Sequence, residues 1–193
     1  MKNLKLLSAA ALTAALFAFK TVDSSTWSLD KYHAKLGFSI THLLVSDVEG
    51  SFKSFESKIT ASKADFSDAV VELTADAGSV DTDDNKRDEH LKNADFLETD
   101  KYPTIAFKST SFKKVAGNKY QVKGNLTLHG VTKPVVLQAI AKTGVNPMNK
   151  KTIAGFKITG TIKRSDFGIG SKYPDAVLSD AVTLNANAEY FKN

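Results

Sequence analysis

From Trp27 to the C-terminus, apolar residues return at every second position over long stretches. That is the side-chain alternation of a half-buried β-strand, not the 3.6-residue recurrence of a helix. Leu36, Phe38 and Ile40 share one face, with Lys35, Ser39 and Thr41 opposite. Val71, Leu73 and Ala75 alternate with Glu72, Thr74 and Asp76, and Ile105 and Phe107 with Thr104, Ala106 and Lys108. The most regular row is Tyr120, Val122, Gly124, Leu126 and Leu128; Val135, Leu137 and Ala139 follow, then Phe156, Ile158, Gly160 and Ile162, and last Val182, Leu184, Ala186, Ala188 and Tyr190. Between Val48 and Ala61 the alternation slips, because Phe52 and Phe55 differ in parity, and a bulge is predicted there. Turn signals at Gly117-Asn118, His129-Gly130, Asn146-Pro147 and Gly168 to Gly170 separate the runs. The pattern predicts an all-β chain of about eight strands, folded as an antiparallel barrel or a two-sheet sandwich. A barrel of about eight strands is just wide enough to fill with side chains or to hold one small ligand.

The segment from Asp81 to Leu97 breaks this pattern. It loses the alternation and opens with acids, which suit a helix N-terminus through capping and the helix dipole. On a helix, Arg87, His90, Leu91 and Ala94 fall on one face, so one short helix is expected to close or flank an end of the sheet structure.

The first residues follow a third pattern. Lys2 and Lys5 precede an apolar run of 14 residues, Leu6 to Phe19. A membrane-spanning helix needs ~20 such residues, so the run reads as a secretory signal peptide over 1–18, cleaved between 18 and 25. Residues 26–193 are then the barrel domain, and the expected location is the periplasm. Loss of Lys2 and Lys5 lowers the formal charge from +5 to +3. With no Lys/Arg cluster in the rest, the sequence pI of 9.2 carries no expectation of a nucleic-acid partner. The remaining composition, 42% hydrophobic and 24% charged in 193 residues, is that of one globular domain. The absence of cysteine removes disulfides, thiolate metal sites, cysteine nucleophiles and lipid attachment through a cysteine.

No Gly-x-Ser-x-Gly, His-Glu-x-x-His, P-loop or dinucleotide fingerprint occurs, and no cofactor is expected. Asp81-x-Asp83-x-Asn85 begins like a calcium loop, but Lys86 and Lys92 stand where glycine and glutamate are required. His42 extends the row Leu36, Phe38, Ile40, and Arg164 extends the row Phe156, Ile158, Gly160, Ile162. Polar groups at the ends of apolar rows would hold a ligand's head while its tail lies inside. His33 has the opposite parity to His42, and His129 beside Gly130 reads as a turn residue, so no metal site is predicted from the four histidines.

Four blocks together resemble the YceI-like family. They are Trp27-Ser-Leu-Asp30-x-x-His33 with Leu36-Gly-Phe38-Ser-Ile40-Thr-His42-Leu43; Arg87-Asp-Glu-His90-Leu91-x-x-Ala94-Asp95-Phe96 with Tyr102-Pro103-x-Ile105-x-Phe107; Gly124-x-Leu126-Thr-Leu128-x-Gly130-Val131-Thr132-Lys133; and Arg164-x-Asp166-Phe167-Gly168. Ala34 and Leu97 depart from the residues usual in the family, serine and phenylalanine. The resemblance implies a lipocalin-like antiparallel barrel with an elongated apolar cavity, exported to the periplasm, often dimeric, and binding a polyisoprenoid or other long-chain lipid. On that expectation Phe38, Ile40, Phe107, Leu126, Leu128, Phe156, Ile158, Ile162 and Leu184 line the cavity, and His42, Arg87, His90 and Arg164 stand at its mouth. The rival readings are a hydrolase acting on such a lipid, with His90, His42, Arg87 and Asp166 as its acid–base set, and an accessory that hands a quinone-like molecule to a membrane oxidoreductase.

Overall fold

The computed structural model describes residues 24–193. The signal-peptide expectation over 1–18 therefore lies outside the described residues. Among these residues ten strands and one α-helix follow in the order β1 (Ser25–His42), β2 (Ser46–Phe52), β3 (Phe55–Ala61), β4 (Val70–Asp76), β5 (Val80–Asp81), α1 (Asn85–Lys92), β6 (Thr104–Ala116), β7 (Lys119–Leu128), β8 (Val131–Val145), β9 (Thr152–Lys163) and β10 (Leu178–Lys192), with short 3₁₀ turns at Ala77–Ser79 and Arg164–Phe167. Eight of the strands close a ring, β1-β3-β4-β6-β7-β8-β9-β10, with β10 paired back onto β1. Closure leaves that ring without a free edge, so the fold is the barrel and not the sandwich.

The two extra strands arise where the alternation slipped. β2 pairs with β1 over Leu36 to His42, whereas β3 pairs with β1 over Ser25 to Ser28. They are two halves of one bent strand, interrupted at Lys53-Ser54, and the break lets Phe52 and Phe55 both face inward despite their opposite parity. A second irregularity lies in β1 itself. Asp30 pairs with Glu189 and Ala34 with Ala188, so Lys31, Tyr32 and His33 have no partners across this seam. The bulge switches the inward phase of β1, from Trp27 and Leu29 before it to Leu36, Phe38 and Ile40 after it.

One end of the barrel, here the lower, carries the segment 62–69 and the β6–β7 and β8–β9 turns. Phe66 stops it. Its side chain is 2% exposed, with ring centroids 5.1 Å from Trp27 and 5.1 Å from Phe156. The segment is tied down by the Tyr120 hydroxyl, which donates to Asp65 O at 2.6 Å, and by the Asp68 carboxylate, which accepts from the Ser62 and Lys63 amides at 3.1 Å each. Phe66 has φ +58°. A left-handed residue costs ~1–2 kcal/mol, and burial of the ring, worth ~1.5–3 kcal/mol, offsets it.

The upper end carries the β1–β2 hairpin, α1 and the segments 93–103 and 164–177. Asp84 caps α1, its carboxylate accepting from Lys86 N at 2.9 Å and Arg87 N at 3.1 Å. The helix stops at Lys92 and the chain doubles back, Leu97 N donating to Leu91 O at 3.0 Å, to bury Phe96 and Leu97. Ala94 therefore falls beyond the helix, and the expected face reduces to Arg87, His90 and Leu91. In the β1–β2 turn, Leu43 and Leu44 both take positive φ, 52° and 59°. Each costs ~1–2 kcal/mol relative to a residue that tolerates this region.

Candidate functional site

Between the packed lower end, where Ile59, Phe112, Phe156 and Tyr190 line it, and the upper end lies a cavity of about 460 Å³. Phe38, Ile40, Phe107, Leu126, Leu128, Phe156, Ile158, Ile162 and Leu184 all line it. So do Phe52, Leu73, Ile105, Leu137 and Val182, which continue the same inward rows, Leu178 at the start of β10, and Ile169, Tyr173 and Val177 from the non-repetitive upper segment.

The space exists because glycines occupy inward positions in long strands. A Cβ on Gly50 would sit 2.4 Å from the Phe38 ring, one on Gly124 2.4 Å from the Phe107 ring, and one on Gly160 2.4 Å from a Leu137 methyl. Each large side chain lies flat over a bare backbone instead of crossing the lumen, the arrangement by which an aromatic ring covers a strand glycine. Near the floor the wall has one polar chain of contacts: the buried Tyr190 hydroxyl donates to Ser57 Oγ at 2.9 Å, which donates to Glu72 O at 3.0 Å. Burial raises the Tyr190 pKa.

The four polar residues expected at the mouth all touch the cavity, but they do different things. His42 is exposed at the lip, at the end of β1. His90 is exposed on α1, its ring edge-on to Phe96 at 5.1 Å, and Phe96 stacks on Tyr173 at 5.2 Å. Arg87 spends Nε on Thr82 Oγ1 at 2.8 Å and Nη2 on Thr82 O at 2.7 Å, while the buried Asp88 accepts from both the Thr82 amide and its hydroxyl.

Arg164 touches the cavity, but its guanidinium is held by the chain's own backbone. Its side chain is buried, 5% exposed, and donates to the carbonyls of Ser179, Ile169, Gly170, Tyr173 and Leu178 at 2.6–3.1 Å. The five N–H groups of a guanidinium are thus spent on the chain's own backbone. Row parity rightly turns this arginine inward, but the loop returning over it consumes its donors. The acid–base set also fails to assemble: His42, His90 and Arg87 touch the cavity, whereas Asp166 sits exposed outside its wall.

A YceI-like domain model matches residues 27–190. The chain is also 40% identical over 161 residues to the protein named YceI from Salmonella newport, covering 82% of this chain and 83% of that one. The chain belongs to the YceI-like family.

Solved structures of other proteins have the same architecture. Campylobacter jejuni YceI is 32% identical, with a TM-score of 0.72 over 79% of this chain and 90% of that one. Burkholderia cenocepacia BcnA is 24% identical, with a TM-score of 0.74 over 83% and 98%. A domain from Saccharophagus degradans, described as polyisoprenoid binding and implicated in plant cell wall breakdown, is 18% identical, with a TM-score of 0.62 over 86% and 98%. The last two likenesses speak to the fold alone.

Within the first YceI-like block, Asp30-x-x-His33 builds the bulge at the β1–β10 seam. His33 Nδ1 lies 2.8 Å from Asp30 Oδ2, and Tyr32 N donates to Asp30 Oδ1 at 3.0 Å. Glu189 stands across the seam, so that one ligand atom from each of Asp30, His33 and Glu189 falls within 4.8 Å of the others. This group brings one histidine and two carboxylates together at the seam. Its hydrogen bond to Asp30 raises the His33 pKa, helped by the Glu189 charge, and the same bond lowers that of Asp30. The expectation of no metal set weighed histidines against one another; the pairing with carboxylates was legible only in the short Asp30–His33 spacing.

Proposed function

We propose that this YceI-like chain binds one long-chain amphiphile, of the polyisoprenoid class or a related lipid, with its tail in the barrel. The observation that carries this reading is the cavity of about 460 Å³ with largely apolar walls and its exposed histidines at one end. A pocket of ~150 Å³ holds one benzene ring, so roughly three times that volume encloses on the order of 15–20 carbon atoms. Burying ~10 methylenes contributes ~8 kcal/mol gross at ~0.8 kcal/mol each, a micromolar affinity before ordering costs, and the remaining carbons add to it. Binding of this strength needs no charged anchor, which agrees with an Arg164 fully engaged in the fold.

In this reading the chain is exported by its leader to the periplasm, carries its lipid as a soluble protein, and the mouth leaves the head group outside. Titration with dansyl-labelled isoprenoids of 10, 15, 20 and 40 carbons tests it. Affinity should climb to about 15–20 carbons and then level off as further carbons protrude. Native mass spectrometry of protein recovered from its own host should show a bound lipid, and the same spectrum reads whether the assembly is a dimer. A barrel that binds none of the four probes overturns the reading.

A further inference from the structure

We propose that the β1–β2 hairpin tip, Leu43-Leu44-Val45, is a bilayer-docking element that sets the cavity mouth against a lipid surface. The three side chains are 52, 70 and 84% exposed, and among the described residues they are the one run of three consecutive exposed large apolar residues. The turn that presents them is unfavourable for their type. His42 pairs with Ser46, Val45 N donates to His42 O at 3.1 Å, and Leu43 and Leu44 take the two positive-φ positions. Hairpins place asparagine and glycine at such positions. Two leucines thus stand where backbone and solvent both disfavour them, and such a double conflict between local rules and fold is expected at functional sites.

Location gives the conflict its meaning. His42 and Val48, on the two strands leading out of the turn, line the cavity. Leu43 N also donates to the carbonyl of Val177, another wall residue, at 2.9 Å. The tip is therefore continuous with the lip through which an apolar ligand passes. A molecule of that kind resides in a membrane, and an uncharged apolar finger beside the opening fits the acyl boundary of a bilayer better than a charged surface. The purpose of docking rests on the carrier reading above; docking itself is measurable without any ligand.

The experiment compares the mature protein with L43N/L44G, which gives the turn the residues its dihedrals favour and so keeps or raises thermal stability. Both are floated with neutral phosphatidylcholine vesicles. The native protein should float with the vesicles at both low and high salt, and the variant at least tenfold less. Leu44→Trp supplies a second readout: its emission should shift to the blue with vesicles, against a fixed background from Trp27, which is buried in the floor. Transfer of the dansyl-labelled 15-carbon isoprenoid from vesicles should slow at least tenfold in L43N/L44G, while its equilibrium affinity without vesicles stays unchanged. Equal flotation of the two proteins, no flotation of either, or tip-dependent capture by a protein without vesicle binding overturns the proposal. Vesicle docking by a protein that binds no probe overturns the carrier reading and leaves docking standing.

Discussion

Phe38 and Gly50 face each other across the β1–β2 pair, and the phenyl ring of one lies over the bare Cα of the other. The atoms nearest to a Cβ on Gly50 would be side-chain ends, the Phe38 ring at 2.4 and 2.8 Å and the Thr82 methyl at 2.9 Å. Gly50→Val should therefore swing the ring into the lumen while the strand, which favours a β-branched residue, stays formed. We expect at least tenfold weaker binding of the 20-carbon probe with a melting temperature within a few degrees of the native value. Unchanged affinity would mean that the ring does not set the free volume.

Emptying the packing behind Phe156 tests a different dimension of the same cavity. Phe66→Ala should cost about 3–5 kcal/mol of unfolding free energy in urea titration, because the ring is fully packed against Trp27 and Phe156. If the protein remains folded, the deepened lumen should move the plateau of affinity toward longer chains.

Arg164 distinguishes a structural from a ligand-binding role. Arg164→Lys keeps the charge but leaves several of the five carbonyls without donors, and should destabilise the protein by about 3 kcal/mol. Hydrogen exchange should accelerate over 168–178. The ratio of affinities for a probe with a phosphate head and one with an alcohol head should not change; a collapse of that ratio would place the arginine in the binding site.

The Asp30–His33 pair makes stability depend on pH at both ends of a window. His33 is raised from a usual value near 6.5, so its contribution is complete below that value and is lost as pH rises through the raised midpoint. Asp30 is lowered from a usual value near 3.8, so its contribution is present above that value and is lost as pH falls through the lowered midpoint. The gap in melting temperature between the native protein and His33→Ala should be widest near pH 5–6. It should shrink toward both alkaline and acid pH. A gap independent of pH would assign His33 a packing role.

Much of the barrel was legible because every inward row reappears in the cross-strand register. Phe107 faces Leu126 and Ala139 faces Ile158, each pair on the inward phase. Even the break between β2 and β3 showed in the parity of Phe52 and Phe55, since a strand cannot turn both inward without an interruption. What stayed hidden depends on contacts between distant segments. Phe66 sits in a short loop with no periodicity, and its burial follows from where Trp27 and Phe156 end up. The Arg164 partners come from a returning segment whose carbonyls carry no residue signature. The three-residue bulge was masked because apolar rows exist on both sides of it, in opposite phase.

Phe66, packed with Trp27 and Phe156, fills the lower end of the barrel, so on the proposed reading a ligand comes and goes at the upper end, and traffic through one end is last in, first out. A lipid that enters tail first must back out head first, and no newcomer can push it through from behind. Exchange then waits on spontaneous departure of the occupant. Affinity differences among lipids should show as differences in residence time, with the rate of capture nearly constant.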